Sequence, residues 1–304
     1  MKKNVMILIL VLLVFISECT NINLENLKVT ETKKEETSDV LVIENIDTLP
    51  RPPIFAGDSF TLYFTLRNRD EQRPIENIRV TLFDPSVFKG NLNPNQCGEN
   101  NPCSLLPLDQ KLISFNLTAP TQEEIASVEV TPKVNFKVTY AFNGTTAYDV
   151  VIVNIDELTK YQQAGKTLDL TRNKLIGSGP IKIDVELINA DAVIAGRTGR
   201  IKVVVKNDGS GNLIENKISK NGLRIDFGSL QVSHSMKNLF NCINNVCINI
   251  GDEIKIIGKE SSPLLFNINA PANIELWRTL VIMAKVDYTY ELRGSKGITV
   301  KPVG

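Results

Sequence analysis

The sequence is poor in the side chains that most catalytic and metal sites need. Its 304 residues include one histidine, one tryptophan and five cysteines. A single histidine excludes a metal site built from several imidazoles. The chain also has no excess of positive charge, since 34 basic residues are matched by 34 acidic ones. Because binding of DNA or RNA needs a concentrated surplus of lysine and arginine, we expect no nucleic-acid partner.

The composition is that of a globular protein. Hydrophobic residues make up 42% of the chain and charged residues 22%. These values exclude disordered, collagenous and multi-span membrane proteins. A domain usually takes about 100 to 150 residues, so the length predicts two domains.

The first residues have the pattern of an export signal. Lys2 and Lys3 precede an apolar run over residues 5–17, which has the length of a signal-peptide core and is short for a bilayer span of about 20 residues. Cys19 lies where a lipidated cysteine would lie, although Glu18 stands in place of the small residue of a lipoprotein signal. Three outcomes stay open: lipidation at Cys19, an uncleaved anchor, and ordinary cleavage. Two of them tether the protein to a membrane.

Residues 20–38 are polar, mixed in charge and almost free of large apolar side chains. Such a segment cannot bury enough surface to order itself, so it is predicted to be a spacer. An anchor followed by a spacer and folded domains is the usual layout of a surface-displayed protein.

The chain contains a long internal repeat. Residues 56–77 align with residues 195–216 without a gap, from a shared Ala-Gly to a shared Ile-Glu-Asn, and Asn68 aligns with Asn207. Further along, "FNLTAP" aligns with "FNINAP", and one cysteine pair precedes this phrase in each copy. A period of about 140 residues is too long for a solenoid repeat and indicates duplication of a whole domain.

Each copy reads as a series of short alternating strands. In the first copy the strand candidates are "VLVIENI", "SFTLYFTL", "IRVTLF", "KLISFNL", "VNFKVTYAF" and "AYDVVIVNI". Asn143-Gly144 between the last two predicts a two-residue hairpin turn. About six to eight antiparallel strands per copy predict an all-β protein with two tandem immunoglobulin-like antiparallel β-sandwich domains after the signal or anchor segment.

The chain therefore divides into five predicted segments. These are a signal peptide or membrane anchor (residues 1–19), a polar spacer (20–38), a first β-sandwich (39–154), a linker (155–179) and a second β-sandwich (180–304). The linker carries the one modest helix candidate, over residues 155–165.

The phrases "AGDSFTLYFTLRN" and "AGRTGRIKVVVKNDGSG" resemble the strand-turn core of cell-adhesion-related and S-layer-associated β-sandwich modules of archaeal and bacterial surface proteins. In these modules a V-x-V-x-N-x-G phrase ends a strand. The first copy departs from it, with Arg69 and Asp70 at the position of the glycine turn. The resemblance implies a sandwich fold in a spacer, adhesion unit or envelope component, and it supplies no catalytic residue.

Four of the five cysteines form two close pairs in the sequence, Cys97 with Cys103 and Cys242 with Cys247. One interpretation is a four-thiolate metal site, but the spacings differ from those of most zinc knuckles. The favoured prediction is two local disulfides, because exported proteins meet an oxidising compartment. The sequence implies no metal and no cofactor.

Three short motifs suggest chemistry but have simpler interpretations. His234 lies beside Ser233 and Ser235, yet no nucleophile-elbow motif accompanies it, so a surface residue is predicted. Residues 207–212 lack the ligand order of a calcium loop and predict a turn. Residues 177–180 lack the lysine and hydroxyl residue of a phosphate loop.

Two sequons begin at Asn116 and Asn143 and mark candidate N-glycosylation sites. Asn143 is predicted on the hairpin tip and Asn116 on the outward face of a strand. The aromatic residues Tyr140, Tyr288, Tyr290 and Trp277 could form a sugar-stacking platform, although aromatic residues at strand spacing more often belong to a core.

The sequence thus predicts a non-enzymatic, exported and membrane-tethered envelope protein with a structural, adhesive or assembly role. Its expected partners are the membrane, through the N-terminus, and other envelope proteins or surface glycans. The alternative function is an extracellular carbohydrate- or peptide-binding module.

Overall fold

A computed structural model describes residues 27–35, 38–233, 236–251 and 254–303. The predicted signal or anchor, Cys19 and His234 lie outside these residues. Within the described ranges, no helix has the length and apolarity needed to cross a bilayer.

The described residues form an all-β protein. In chain order its strands are β1 (Leu27–Glu35), β2 (Leu41–Leu49), β3 (Ile54–Phe55), β4 (Ser59–Asn68), β5 (Ile75–Asp84), β6 (Lys89–Gly90), β7 (Cys103–Leu105), β8 (Gln110–Thr118), β9 (Lys133–Val153), β10 (Leu168–Ile176), β11 (Ile181–Leu187), β12 (Val193–Ile194), β13 (Thr198–Asn207), β14 (Asn212–Leu213), β15 (Lys217–Ile218), β16 (Leu223–Asp226), β17 (Gln231–Ser233), β18 (Phe240–Ile243), β19 (Val246–Asn249), β20 (Ile254–Ile257), β21 (Glu260–Ser261), β22 (Leu264–Asn269), β23 (Trp277–Gly297) and β24 (Val300–Lys301). The helix α1 (Ile155–Gln163) and a 3-10 turn (Ile214–Asn216) complete the secondary structure.

The longest strands of the two copies, β9 and β23, pair antiparallel along all of their 21 residues. We call this pairing the central ladder. Alternate residues of both strands are buried on one face, as expected for strands with one face in a core. The ladder lies inside an 11-stranded central sheet that contains strands from both copies.

Two outer sheets cover the buried face of the central sheet. The four-stranded outer sheet contains β2, β4, β8 and β6 of the first copy. It contacts the first half of β9, where the rings of Phe64 and Phe136 stack at 4.2 Å. The seven-stranded outer sheet of the second copy includes β11, β13 and β22. It contacts the second half of β9, where Thr146 Oγ1 donates to Ile183 O at 2.6 Å.

The two copies exchange their last strands. β24, at the end of the second copy, pairs with β3 of the first, and β12 of the second copy pairs with the last two residues of β9. β3 and β12 both lie directly before the aligned Ala-Gly, so the two contacts are equivalent. Each sandwich-like half of the molecule is therefore completed by the long strand of the other copy, and the predicted boundary at residue 154 does not separate two independent cores.

The pairing registers confirm the internal repeat. β4 and β13 occupy aligned positions, and Leu62 opposite Phe115 corresponds to Ile201 opposite Phe266. The same backbone bond also closes both strand pairs, β4 with β8 and β13 with β22, because Ala119 N donates to Asp58 O and Ala270 N to Arg197 O.

The predicted hairpin turn at Asn143-Gly144 is wrong. Both residues lie in the middle of β9, which continues without a turn. Gly144 is instead required by close packing, because a Cβ atom at this position would lie 2.2 Å from Ile181 O of β11. The local turn preference of Asn-Gly is overridden by the hydrogen bonds of the central ladder.

Two segments that the sequence predicts as irregular contain strands. β1 lies within the predicted spacer and pairs parallel with β10, which lies within the predicted linker. Arg172 of β10 and Glu31 of β1 form an ion pair at 3.0 Å. The polar composition concealed β1 because its stability comes from backbone pairing at a sheet edge. The helix candidate is confirmed as α1, which Asn154 caps by accepting from Asp156 N.

The strand exchange predicts that a substitution near the C-terminus destabilises the first copy. Val300 is 0% exposed, and the backbone around it bonds to the first copy, since Thr299 O accepts from Ile54 N and Val300 N donates to Val130 O. We expect Val300→Ala to lower the free energy of unfolding by about 1–3 kcal/mol. Hydrogen exchange should accelerate at Ile54 and Val130, whereas Val303→Ala, at a residue 54% exposed, should change neither quantity. If hydrogen exchange became faster only at residues of the second copy, the proposed strand exchange between the copies would be contradicted.

Candidate functional site

Four aromatic rings meet where the central ladder passes from one copy to the other. Tyr140 and Tyr290 contact edge to face at 5.8 Å between ring centroids, Phe142 and Tyr288 at 6.4 Å, and Tyr288 and Tyr290 at 6.3 Å. All four are buried, and burial raises the pKa of the three tyrosine hydroxyls. The three tyrosines are core residues, as the strand spacing favoured, and they do not form a sugar-stacking platform; Trp277 lies apart from them and is 46% exposed.

A buried asparagine organises the turn after β13. Asn207 Oδ1 accepts from Gly209 N at 3.2 Å and from the hydroxyl of Tyr290 at 2.8 Å, while its Nδ2 donates to Gly211 O at 2.9 Å. The turn also crosses to the first copy, because Ser210 N donates to Asp39 Oδ1 at 3.1 Å.

The equivalent turn after β4 makes the reciprocal contact. Asn68 Oδ1 accepts from Asp70 N at 2.9 Å, which repeats the bond at Asn207. The hydroxyl of Ser178 then donates to the carboxylate of Asp70. Ser178 precedes Asn207 by the same number of residues as Asp39 precedes Asn68. The same aligned position therefore carries an acid in the first copy and a hydroxyl in the second, and each contacts the turn of the other copy.

Arg73 extends this contact into a partly buried charged network. Its Nε lies 3.2 Å from Asp70 Oδ2, and its Nη2 donates to Ser178 O at 2.7 Å. Nη1 donates to both Asn143 Oδ1 and Asn143 O, at 3.0 and 3.2 Å. The guanidinium carbon lies 4.4 Å from the centroid of the Phe142 ring, which adds a cation–π contact. One side chain thus connects a turn, the central ladder and the segment before β11.

The Asp70 carboxylate stays ionised although it is buried. Desolvation raises its pKa, but the hydrogen bonds from Ser178 and the Gln72 and Arg73 amides, together with the Arg73 charge, outweigh desolvation and lower it overall. An ionised buried acid that accepts several hydrogen bonds holds its partners in fixed positions.

An open cleft of about 650 Å³ lies on the outer side of this network. Its lining contains charged, amide and aromatic groups from both copies: Arg73, Pro74, Glu76, Ala141, Phe142, Asn143, Ser219, Lys220, Asn221, Gly222, Asp287, Tyr288 and Thr289. We call it the central cleft. Paired donors and acceptors beside rings are suited to binding a polar, uncharged ligand.

Both predicted disulfides are present. Cys97 is bonded to Cys103, and Cys242 to Cys247. Cys103 lies opposite Ile78 of β5, and Cys247 lies opposite Ile225 of β16. β5 pairs with β9 and β16 with β23, so the disulfides occupy equivalent positions beside the two strands of the central ladder. Each closes a short loop, which contributes roughly 2 kcal/mol of stability.

The two sequons have different surroundings. Asn116 is exposed on β8, opposite in face to buried Phe115 and Leu117, as predicted. Asn143 does not lie on a hairpin tip: it is half-buried within β9 and its amide oxygen accepts from Arg73. Asn116 is therefore the more accessible acceptor.

Residues 207–212 form a turn, as described above for Asn207. Among the residues that the structure describes, no group of three or more His, Cys, Asp or Glu side chains is arranged to hold a metal ion. Ser233 ends β17, while His234 and Ser235 lie outside the described residues.

Sequence reasoning missed Asp70, Arg73 and Ser178. The one available signal was the departure of Asp70 from the glycine at the aligned position, Gly209. Arg73 and Ser178 gave none, because their contact joins residues far apart in the chain.

Comparisons with known proteins give no functional guide. No family model and no curated protein matches the chain. Similar solved structures include the secreted serine protease VesC from Vibrio cholerae, with 8% identity and a TM-score of 0.20, covering 83% of this chain and 49% of that one. A protein of unknown function from Porphyromonas gingivalis W83 has 10% identity and a TM-score of 0.21, covering 86% and 99%.

The chain thus spans about half the length of the Vibrio protease. TM-scores this low carry no argument about fold or activity.

The depressed pKa of Asp70 predicts a pH-dependent contribution to stability. Its folded pKa lies below the ordinary 3.8, so the contribution is present above that pH and is lost as the pH falls further. We expect Asp70→Asn to lower the free energy of unfolding by about 1–3 kcal/mol at pH 7, with a smaller difference at pH 3. Denaturant titrations at both pH values test this. Asp58 is an exposed aspartate and serves as the control. If Asp70→Asn changed the free energy of unfolding no more than Asp58→Asn does, the proposed role of the Asp70 carboxylate would be contradicted.

Proposed function

We propose that the protein is an exported, membrane-tethered component of the cell envelope with a structural, adhesive or assembly role and no catalytic activity. The observation that carries the proposal is the pair of disulfides at equivalent positions in the two copies. Disulfides persist in oxidising compartments and are rare in the cytosol. Their retention in both copies agrees with the export signal in the sequence.

The fold supports a scaffold role. We interpret the two halves as immunoglobulin-like β-sandwiches that have exchanged their last strands, a variant of the tandem arrangement expected from the resemblance to envelope modules. The polar groups at the centre support the same role, because Asp70, Ser178 and Arg73 bond to one another and join the copies. Such a network contributes a fixed geometry between the two halves.

Cell fractionation combined with thiol labelling tests this proposal. The protein should sediment with membranes and be cleaved by protease added to intact cells. Under denaturing, non-reducing conditions a maleimide should label none of Cys97, Cys103, Cys242 and Cys247, and after reduction it should label all four. A cytosolic protein with four free thiols would overturn the proposal. Labelled fatty acid that is incorporated by the wild type and lost in Cys19→Ser would identify the tether as a lipid.

A second candidate function is recognition of a surface glycan or peptide, which the central cleft favours. Its size and its mixed polar and aromatic lining from both copies match a small polar ligand. The clefts of independent domains would lack this composite lining.

A glycan array tests the second candidate. Thr289→Arg places a large side chain at an exposed position of the cleft and should abolish saturable binding to a subset of glycans. Trp277→Ala, outside the cleft lining, should leave that binding unchanged. No saturable binding, or binding lost only in Trp277→Ala, would count against the cleft as a sugar site.

A further inference from the structure

One end of the central sheet contains the first described residue, the helix α1 and an exposed tryptophan. Leu27, the first described residue, lies opposite Leu168, and Val153 lies opposite Trp277. Leu27, Val153 and Leu168 pack in one small core with Leu158 of α1. The start of β1, the helix α1 and Trp277 therefore share one end of the sheet, which we call the anchor end.

The start of β1 limits how far the anchor end can lie from a membrane. Because β1 begins at Leu27, the tether after Cys19 is roughly seven residues rather than a long spacer, and it spans at most about 25 Å. The central ladder is 21 residues long, which corresponds to about 70 Å. A protein held at Cys19 therefore keeps its anchor end, and not its opposite end, within reach of the bilayer.

The side chains at the anchor end suit the headgroup region. Trp277 is 46% exposed although it lies in a strand. Tyr161 of α1 is half-buried, and Lys166 Nζ lies 5.3 Å from its ring centroid. Tryptophan and tyrosine are enriched at membrane interfaces because their rings are apolar and carry a polar group, and lysine extends its charge toward water.

The surface around Trp277 is held rigidly. Asn154 Nδ2 donates to Ile274 O at 2.8 Å, and Asn154 N donates to Leu276 O at 2.9 Å. Asn154 also caps α1, so the helix and the segment before Trp277 are joined to the same residue. Charges of both signs surround them, including the ion pair between Lys160 and Glu157 at 2.7 Å. Attraction to anionic lipid is therefore not the main contribution to membrane contact at this end.

We propose that the anchor end rests on the bilayer surface with Trp277 at headgroup level, and that the central ladder points away from the membrane. This inference rests on the membrane tether of the proposed function. The anchor end contacts a lipid bilayer, because the short tether after Cys19 holds the membrane surface close to the exposed ring of Trp277.

Trp277 is the only tryptophan in the chain, so its fluorescence reports on this contact directly. The membrane-tethered full-length protein would be reconstituted in phosphatidylcholine vesicles with and without brominated acyl chains, and vesicle flotation would be measured separately. We expect flotation in both vesicle types and a loss of Trp277 emission only with brominated lipid.

A matched control moves the tryptophan to the opposite half of the molecule. Phe83 is also 46% exposed, and it lies at the end of β5 beside Asn135, about 60 Å from Val153 along the ladder. The double variant Trp277→Phe with Phe83→Trp should float equally and show no loss of emission. Flotation without quenching of Trp277, or equal quenching of both proteins, would overturn the orientation while leaving the tether intact. Failure to float would overturn the tether and the orientation together.

Discussion

The pairing of β9 with β23 is the constraint on which the rest of the structure depends. These strands come from different copies of the repeat, and their backbones remain paired along 21 residues. Each strand is longer than one sandwich needs, so its second half must enter the other copy. The buried side chains of that half then face a core built by the other copy, as Tyr148 of β9 does: it is 0% exposed, and its hydroxyl accepts from Leu187 N of β11 at 3.0 Å. Neither copy can bury its core surface without its partner's long strand.

The pairing of β9 with β23 also explains which residues occupy the middle of the central ladder, where each strand passes from its own copy into the other. Here the two copies contact each other most closely, and the tightest positions admit only glycine, as at Gly144. Around them the four aromatic rings fill the space between the sheets. The turns after Asn68 and Asn207 each reach across to the other copy, through Asp70 and Ser210. The two turns need not stay identical when one of them is enough to hold the copies together. Asp70 and Arg73 belong to the first copy, and it is in this copy that the polar contact has been extended.

The sequence predicted what depends on local pattern and missed what depends on pairing between distant segments. Alternating apolar residues located β2, β4, β5 and β8, and the cysteine spacing located both disulfides. Asn-Gly was a misleading signal because its turn preference is worth less than the backbone bonds of a continuous strand. β1 was hidden because only Leu27 and Val29 of its nine residues are large and apolar, and pairing with β10 stabilises the polar remainder. The contact between Asp70 and Ser178 joins residues 108 apart, which no local pattern encodes.

The exchange also determines how the molecule would respond to force. Leu27 lies at the Val153 end of the central ladder, whereas β24 lies beyond its opposite end, at Gly297. A pull between these two points acts along the ladder, so it would load many backbone hydrogen bonds together rather than one at a time. Two independent sandwiches in tandem would instead meet at a linker, which bends before either core is loaded. Strand exchange therefore converts a duplicated domain into a single stiff unit, and the disulfides need only fix local loops beside that unit.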